Sequence, residues 1–149
     1  MNKTSSLSLR VRSLVLIAST LCLASCASGP TYAEMKSKLP PIAKGQGRVF
    51  VYRGSSFGAA VQPEVRIDNI PVGTSQGMGF IYSDQPAGSH EVSLMTEWKH
   101  KNAVSVIDGQ NSFVECMILP GFFVGQIVPN QVDAARGEAK IQGLRCSQK

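Results

Sequence analysis

Two histidines and four cysteines are the residues of this chain best suited to chemistry. Either imidazole could act as a general base, but a hydrolase also needs a nucleophile and an orienting acid at the same place. Ser89 precedes His90, yet this does not make a catalytic triad, because triad partners are defined in space. We therefore expect no enzyme, and the simpler role for His90 is a hydrogen bond to the backbone of its own turn. A hydrolase using His90 stays open as the alternative.

No cofactor or metal ion is indicated by the spacing of these residues. A zinc site needs at least three ligands that converge, and the sequence has neither Cys-x-x-Cys nor His-Glu-x-x-His. The basic residues form no cluster, so the electrostatic footprint of a nucleic-acid-binding protein is also missing.

The N-terminal segment has the order of features that marks a secretory signal peptide. Lys3, Arg10 and Arg12 precede an apolar run from Leu14 to Leu23. This run is too short to span a bilayer as a helix, which takes about 20 apolar residues. Small residues follow it, as they do at a signal cleavage site. The three basic residues of the segment carry more than half of the formal net charge of +5.

The residues at the end of this segment resemble the lipobox of bacterial lipoproteins; they are Leu23, Ala24, Ser25 and Cys26. The resemblance implies that residues 1–25 are removed and that the Cys26 thiol carries a diacylglycerol. It also implies an acyl chain such as palmitate on the new amine. Two or more acyl chains hold a protein stably on a membrane, whereas one does so only marginally. The alternative is an ordinary secreted protein that is cut at the same small residues.

The residue after the cysteine bears on location. Ala27, and not an aspartate, follows Cys26. By resemblance to enterobacterial lipoproteins, this pattern implies a protein held by its lipid in the outer membrane and facing the periplasm. The inner membrane and the cell surface are the alternatives.

Cys116 and Cys146 are the cysteines that lie beyond Cys26. An even pair in an oxidising compartment predicts a disulfide. Closing a loop of about 30 residues would contribute roughly 3–4 kcal/mol through chain entropy. The rival is a metal site formed with His90 or His100.

Two aromatic segments could contact a partner. The first combines an aromatic ring with basic groups and comprises Trp98, Lys99, His100 and Lys101. Such residues are favoured at interfaces, and this tip would suit an envelope protein, an anionic glycan or a lipid headgroup. The simpler interpretation packs the tryptophan on a sheet edge and leaves the lysines in water. Phe122 and Phe123 could form an exposed patch, but we expect them in a core strand.

Short segments rich in β-branched and aromatic residues alternate with turn signals over most of the remaining chain. The predicted strands are 48–53, 61–66, 70–72, 80–82, 90–95, 103–107, 111–119 and 122–128. Asp68-Asn69 and Asp108-Gly109 predict tight turns. Several short strands with regular turn signals favour an antiparallel sandwich or small barrel.

Helical signals are confined to the two ends of the domain. Residues 26–47 are rich in proline and glycine and predict a tether, with a short helix within 32–39 that ends before Pro40. A second helix is predicted from Val132 to Gly143, with Gly137 weakening its middle. Its predicted packing stripe consists of Val132, Ala135, Ala139 and Gln142.

Two family resemblances complete this interpretation. The segment 65–95 has a strand, an Asp-led turn, a strand ending at Gly73, and a proline-glycine turn before a His-x-Val strand, which is similar to the PEGA type of β-sandwich repeat. From about residue 32 to 146, the chain resembles a family of bacterial lipoproteins with a periplasmic domain of unknown function. Its marks here are Met35 with Pro40-Pro41, the 47–53 strand, the Asp-led hairpin, the 86–90 turn, and a late Val-Gly followed by a short helix and a cysteine.

These resemblances imply a mainly β fold and no catalytic residues. We expect an antiparallel β-sandwich of the immunoglobulin or prealbumin type over residues 48–149, with a short N-terminal and a short C-terminal helix. The expected function is that of a membrane-anchored periplasmic lipoprotein, a non-catalytic binding or scaffolding module of the cell envelope. An envelope hydrolase and a surface-exposed lipoprotein factor are the alternatives.

Overall fold

The computed structural model describes residues 27–148. The predicted signal peptide and the lipobox-like residues Leu23, Ala24, Ser25 and Cys26 lie outside the described residues. Between residues 27 and 148, no helix has both the length and the apolar character needed to cross a membrane.

The described chain folds into two packed β-sheets with helices on the outer side of one of them. The strands are β1 (Gln46–Arg53), β2 (Glu64–Ile67), β3 (Ile70–Thr74), β4 (Gly79–Pro86), β5 (Gly88–Met95), β6 (Lys99–Val106), β7 (Asn111–Leu119), β8 (Gln126–Val132) and β9 (Arg145–Cys146). The helices are α1 (Tyr32–Met35), which continues as a 3₁₀ turn over Lys36–Lys38, and α2 (Ala134–Ile141). The prediction of a mainly β sandwich with two short helices is confirmed.

The larger sheet has five strands in the order β8-β7-β1-β4-β9, and the smaller has four in the order β3-β2-β5-β6. Most neighbouring strands are antiparallel, but β1 pairs with β7, and β4 with β9, in parallel. The turns predicted at Asp68-Asn69 and at Gly109 are confirmed, since these residues have positive φ values of 50°, 66° and 70°.

The core between the sheets is built from alternate residues of the strands. Its buried members are Val49, Val51, Val65, Ile67, Ile81, Val92, Leu94, Val104, Val106, Val114, Cys116 and Ile127. In β2 the residues between the buried ones are exposed, because the outer face of the smaller sheet meets water. This is the pattern from which the inward-facing residues of β2 and β5 were predicted.

A second, largely aromatic core covers the other face of the larger sheet. It comprises Tyr32, Phe50, Tyr52, Phe80, Phe113, Ile141, Leu144 and Cys146. The rings of Phe50 and Phe113 stack at 5.4 Å, and Tyr32 meets Phe50 edge-on at 5.3 Å. Strand β1 is therefore buried on both faces, and seven of its eight residues are buried.

Residues 27–39, which lie within the segment predicted as a tether, pack on this outer layer. Tyr32 is fully buried, and its hydroxyl donates to Glu138 of α2 at 2.9 Å. The Cys146 amide donates to the Pro30 carbonyl at 2.9 Å. The short helix was predicted correctly, and Thr31 and Glu34 cap its first turn reciprocally. Its packing on the domain supplies the stability that so short a helix lacks alone.

Helix α2 packs through a different stripe from the predicted one. Gly137 and Ile141 are its buried residues, whereas Ala135 and Ala139 are exposed. A Cβ at position 137 would lie 2.2 Å from Cγ of Phe113. The missing side chain of Gly137 therefore lets the helix backbone lie directly on the aromatic ring.

Candidate functional site

His90 is held in its turn by both ring nitrogens. Nδ1 lies 2.6 Å from Oδ2 of Asp68, and Nε2 lies 2.8 Å from the Pro86 carbonyl oxygen. The other oxygen of Asp68 accepts the Glu91 amide at 2.8 Å. Burial lowers the pKa of His90, but the bonds to Asp68 and Pro86 outweigh it and leave this pKa raised. Both nitrogens donate when the ring is charged, and the predicted hydrogen bond to the turn is confirmed.

Cys116 and Cys146 are both free thiols, so the structure contradicts the predicted disulfide. Cys116 lies in the core between the sheets, and Cys146 lies in the aromatic core on the opposite face of the larger sheet. Strands β1 and β4 separate β7 from β9, which amounts to about 14 Å across the sheet. A disulfide joins Cα atoms less than about 7 Å apart. Burial raises the pKa of the Cys116 thiol to about 12.

The alternative to the disulfide was a metal site that combines the two cysteines with His90 or His100. Within residues 27–148, no group of three or more His, Cys, Asp and Glu side chains could hold a metal ion.

The predicted aromatic-basic tip, residues 98–101, lies only partly in a loop, because its last three residues belong to β6. Lys99 and Lys101 lie on the outer face of β6, where their Nζ atoms are 3.6 Å and 2.9 Å from the Glu91 carboxylate. His100 alternates to the other face and is half-buried. Only Trp98 stays in the β5–β6 loop, where it is 50% exposed. The four residues therefore do not form one surface.

Trp98 is grouped instead with Phe122 and Phe123. These phenylalanines are 86% and 93% exposed, so the expectation that they lie in a core strand is wrong and the exposed-patch alternative is confirmed. Strand β8 begins only at Gln126. Glu97 and the three aromatic residues line an open cleft of about 330 Å³.

Glu97 fixes the loop that carries the two phenylalanines. Its carboxylate accepts the backbone amides of Phe122, Phe123 and Val124 at 2.9, 2.6 and 2.5 Å. Burial raises the pKa of Glu97, but the three amide hydrogen bonds outweigh it and hold this pKa below its usual range. The aromatic rings are thus exposed on a backbone that is clamped.

Three other loops lie at the end of the sandwich that carries the β7–β8 loop with the two phenylalanines. Arg53 at the end of β1 pairs with Gly79 at the start of β4. Strand β7 runs parallel to β1 and continues beyond it, and the Glu97 contacts bring the β5–β6 loop beside the β7–β8 loop. We call this surface the apolar end; its loops are 54–63, 75–78, 96–98 and 120–125.

The composition of the apolar end is unusual for loops. Its four loops contain one charged residue, Glu97, and that residue is occupied by backbone amides. Phe57 and Met78 are further exposed apolar side chains there. The guanidinium of buried Arg53 donates to the carbonyls of Phe57 and Val61, both at 2.7 Å, so the first loop is also built on a fixed polar anchor.

Sequence reasoning identified Trp98 but missed the clamp and the end as a whole. Proline and glycine flank the two phenylalanines at 120, 121 and 125, and these breakers could have indicated a loop. The contact with Glu97 spans 25 residues or more of sequence, and no local pattern predicts it.

Comparison with known proteins places these features in a family. Residues 43–127 match the family described as "Protein of unknown function (DUF2846)", and this range contains all four loops of the apolar end. A protein of Haemophilus influenzae described as "Uncharacterized protein" is 28% identical over 134 residues, which cover 87% of this chain and 80% of that protein. No solved structure matches the chain. On the match over more than half of its length, the chain belongs to the DUF2846 family of proteins of unknown function.

Proposed function

We propose that this protein is a lipid-anchored component of the bacterial cell envelope whose domain works by binding and scaffolding, without catalysis. The lipobox-like residues ending at Cys26 support the anchor. Ala27 after that cysteine supports the outer membrane, with the domain on its periplasmic face.

The observation that carries the binding role is the clamped aromatic loop. Burying a phenylalanine stabilises a protein by about 1.5–3 kcal/mol, yet Phe122 and Phe123 remain in solvent. Three hydrogen bonds to Glu97 hold the loop in this arrangement. A partner that covers both rings would recover the burial energy without first having to order the loop.

The arrangement at His90 favours binding over hydrolysis. A general base must have a nitrogen within reach of the proton that it abstracts. Both nitrogens of His90 are within hydrogen-bond distance of Asp68 and Pro86, which supports a structural role for this histidine.

The anchor is tested by the mass of the mature N-terminal peptide. We expect a peptide that begins at Cys26 and carries a diacylglycerol and one further acyl chain. A peptide that retains residues before Cys26, or that carries an unmodified cysteine, would refute the lipid anchor.

The contact role is tested by photocrosslinking in intact cells. A photoreactive phenylalanine analogue at Phe123 should form adducts with envelope components. The matched control is the same analogue at Lys140, an exposed position on α2. Equal and low labelling at both positions would refute a contact role for the aromatic loop.

A further inference from the structure

The geometry points to a specific partner for the apolar end: the lipid bilayer that the acyl chains of Cys26 would enter. The domain would then rest on the membrane in one orientation, with the aromatic loops at the level of the lipid headgroups. This inference rests on the proposed lipid anchor.

The chain enters the domain at the apolar end. Ala27 is buried, and its amide donates to the Gly77 carbonyl at 3.2 Å. Gly77 belongs to the 75–78 loop. Cys26 is the next residue towards the N-terminus, and consecutive Cα atoms are only about 3.8 Å apart. A lipid on Cys26 therefore leaves no linker through which the domain could move away from the membrane.

Exposed apolar side chains lie at the same end as this entry point. They come from all four loops and are Phe57, Met78, Trp98, Phe122 and Phe123. Tryptophan is enriched at membrane–water interfaces because its ring is apolar and its indole N–H is polar. The apolar face of an amphipathic helix that lies in the interface is buried about 5–10 Å into the headgroup region, and the exposed rings of a docked loop would enter the same layer.

The distribution of charge favours the same orientation. A charged side chain is expensive in the hydrocarbon region, and the loops of the apolar end carry only Glu97, whose oxygens are already bonded to amides. The turns at the opposite end carry Lys44, Asp68 and Asp108. The four loops of the apolar end thus carry less charge than the turns of the opposite end, and Arg145 at the start of β9 is an exposed cation beside them.

Trp98 provides a direct test because it is the single tryptophan of the chain. The full-length, lipidated protein is reconstituted in vesicles of phosphatidylethanolamine and phosphatidylglycerol, with or without bromine on the acyl chains. We expect brominated acyl chains to quench most of the Trp98 fluorescence. We also expect its emission maximum to be shifted to the blue relative to that of a tryptophan exposed to water. Emission that is the same in both kinds of vesicle would overturn the inference.

Two variants separate docking from simple proximity. Replacing both phenylalanines, Phe122→Ser with Phe123→Ser, should restore most of the emission in brominated vesicles, because the loop loses its apolar contact with lipid. The matched control is Ile107→Ser, which removes an exposed apolar side chain at the opposite end and should leave the quenching unchanged. Circular dichroism of both variants verifies that they are folded. Quenching that persists in the double variant would overturn the role of the aromatic loop.

The outcomes distinguish this inference from the proposed function. An N-terminal peptide without acyl groups would refute the anchor and the docking together. An acylated protein with unquenched Trp98 would overturn the docking alone. Crosslinks from Phe123 to a protein, with no lipid adducts, would overturn the docking and leave the contact role in place.

Discussion

Replacing Gly137 with alanine should destabilise the protein, although alanine is favoured over glycine inside a helix by about 1 kcal/mol. Gly137 lies where α2 crosses Phe113 of β7. An alanine Cβ at this position would lie 2.2 Å from Cγ and 2.4 Å from Cβ of Phe113, whereas ordinary contacts begin at 3.4 Å. One of the two partners must therefore move by more than 1 Å.

The phenylalanine cannot give way easily. Its Cβ is fixed by the backbone of β7, which is paired with β1 and β8 on its two sides. Its ring is almost fully buried and stacks on Phe50. Relief must come from outward movement of α2, which loosens the packing of Ile141. Overpacking costs about 1–3 kcal/mol, and the upper end of this range, less the helix propensity gained, leaves a net loss of about 2 kcal/mol.

The loss is measured as a shift of the denaturant midpoint, followed by far-UV circular dichroism. The matched control is Gly143→Ala, because a Cβ there meets nothing within 4 Å and the φ of Gly143 is not in the left-handed region. Its free energy of unfolding should stay within about 0.5 kcal/mol of the wild type. If Gly137→Ala proved as stable as the wild type, or more so, the argument that close approach selects this glycine would be wrong.

Three further predictions concern the polar clamps and the buried thiols. Glu97→Gln should speed hydrogen exchange at the amides that the carboxylate holds. Because the pKa of Glu97 is lowered in the folded protein, these amides should be fully protected in the wild type above about pH 4.3. Their protection should be lost as the pH falls through the pKa of the folded protein. Equal exchange rates in the wild type and in Glu97→Gln would refute the clamp. Because the pKa of His90 is raised in the folded protein, the stability that the charged ring contributes should be complete below about pH 6.5. It should be lost as the pH rises through the pKa of the folded protein. The free energy of unfolding should therefore vary less with pH across this range in Asp68→Asn than in the wild type. In the lipidated protein without reductant, Cys116 and Cys146 should not react with a thiol reagent while the protein is folded. Two thiols per chain should react once denaturant unfolds it. If no thiol reacted after unfolding, the predicted disulfide would be supported instead.

Local features of the fold could be predicted from the sequence because their causes are local. The turn at Asp68-Asn69 depends on two residues that tolerate positive φ. The inward faces of β2 and β5 follow from alternation with period two. The role of His90 also follows from neighbours, since its partner Pro86 is only four residues away.

Features that depend on the order of the strands could not be predicted in this way. Cys116 and Cys146 looked like a pair because the sequence does not reveal that β1 and β4 lie between their strands. The packing of residues 27–39 was not predicted, because proline and glycine interrupt this segment and favoured a tether. The burial of Tyr32 depends on contacts with Phe50 and Phe80, which lie far along the chain.

The clearest error, at Phe122 and Phe123, shows why exposure is informative in this protein. Apolar content predicts burial because burial is where such side chains are most stable. Here Glu97 fixes the backbone of the β7–β8 loop, and Arg53 fixes the β1–β2 loop through the Phe57 and Val61 carbonyls. In both loops one charged side chain binds several backbone groups and keeps aromatic rings in solvent. A surface that is already ordered loses little conformational entropy when it docks. These clamps therefore favour contact between the apolar end and the surface on which it docks.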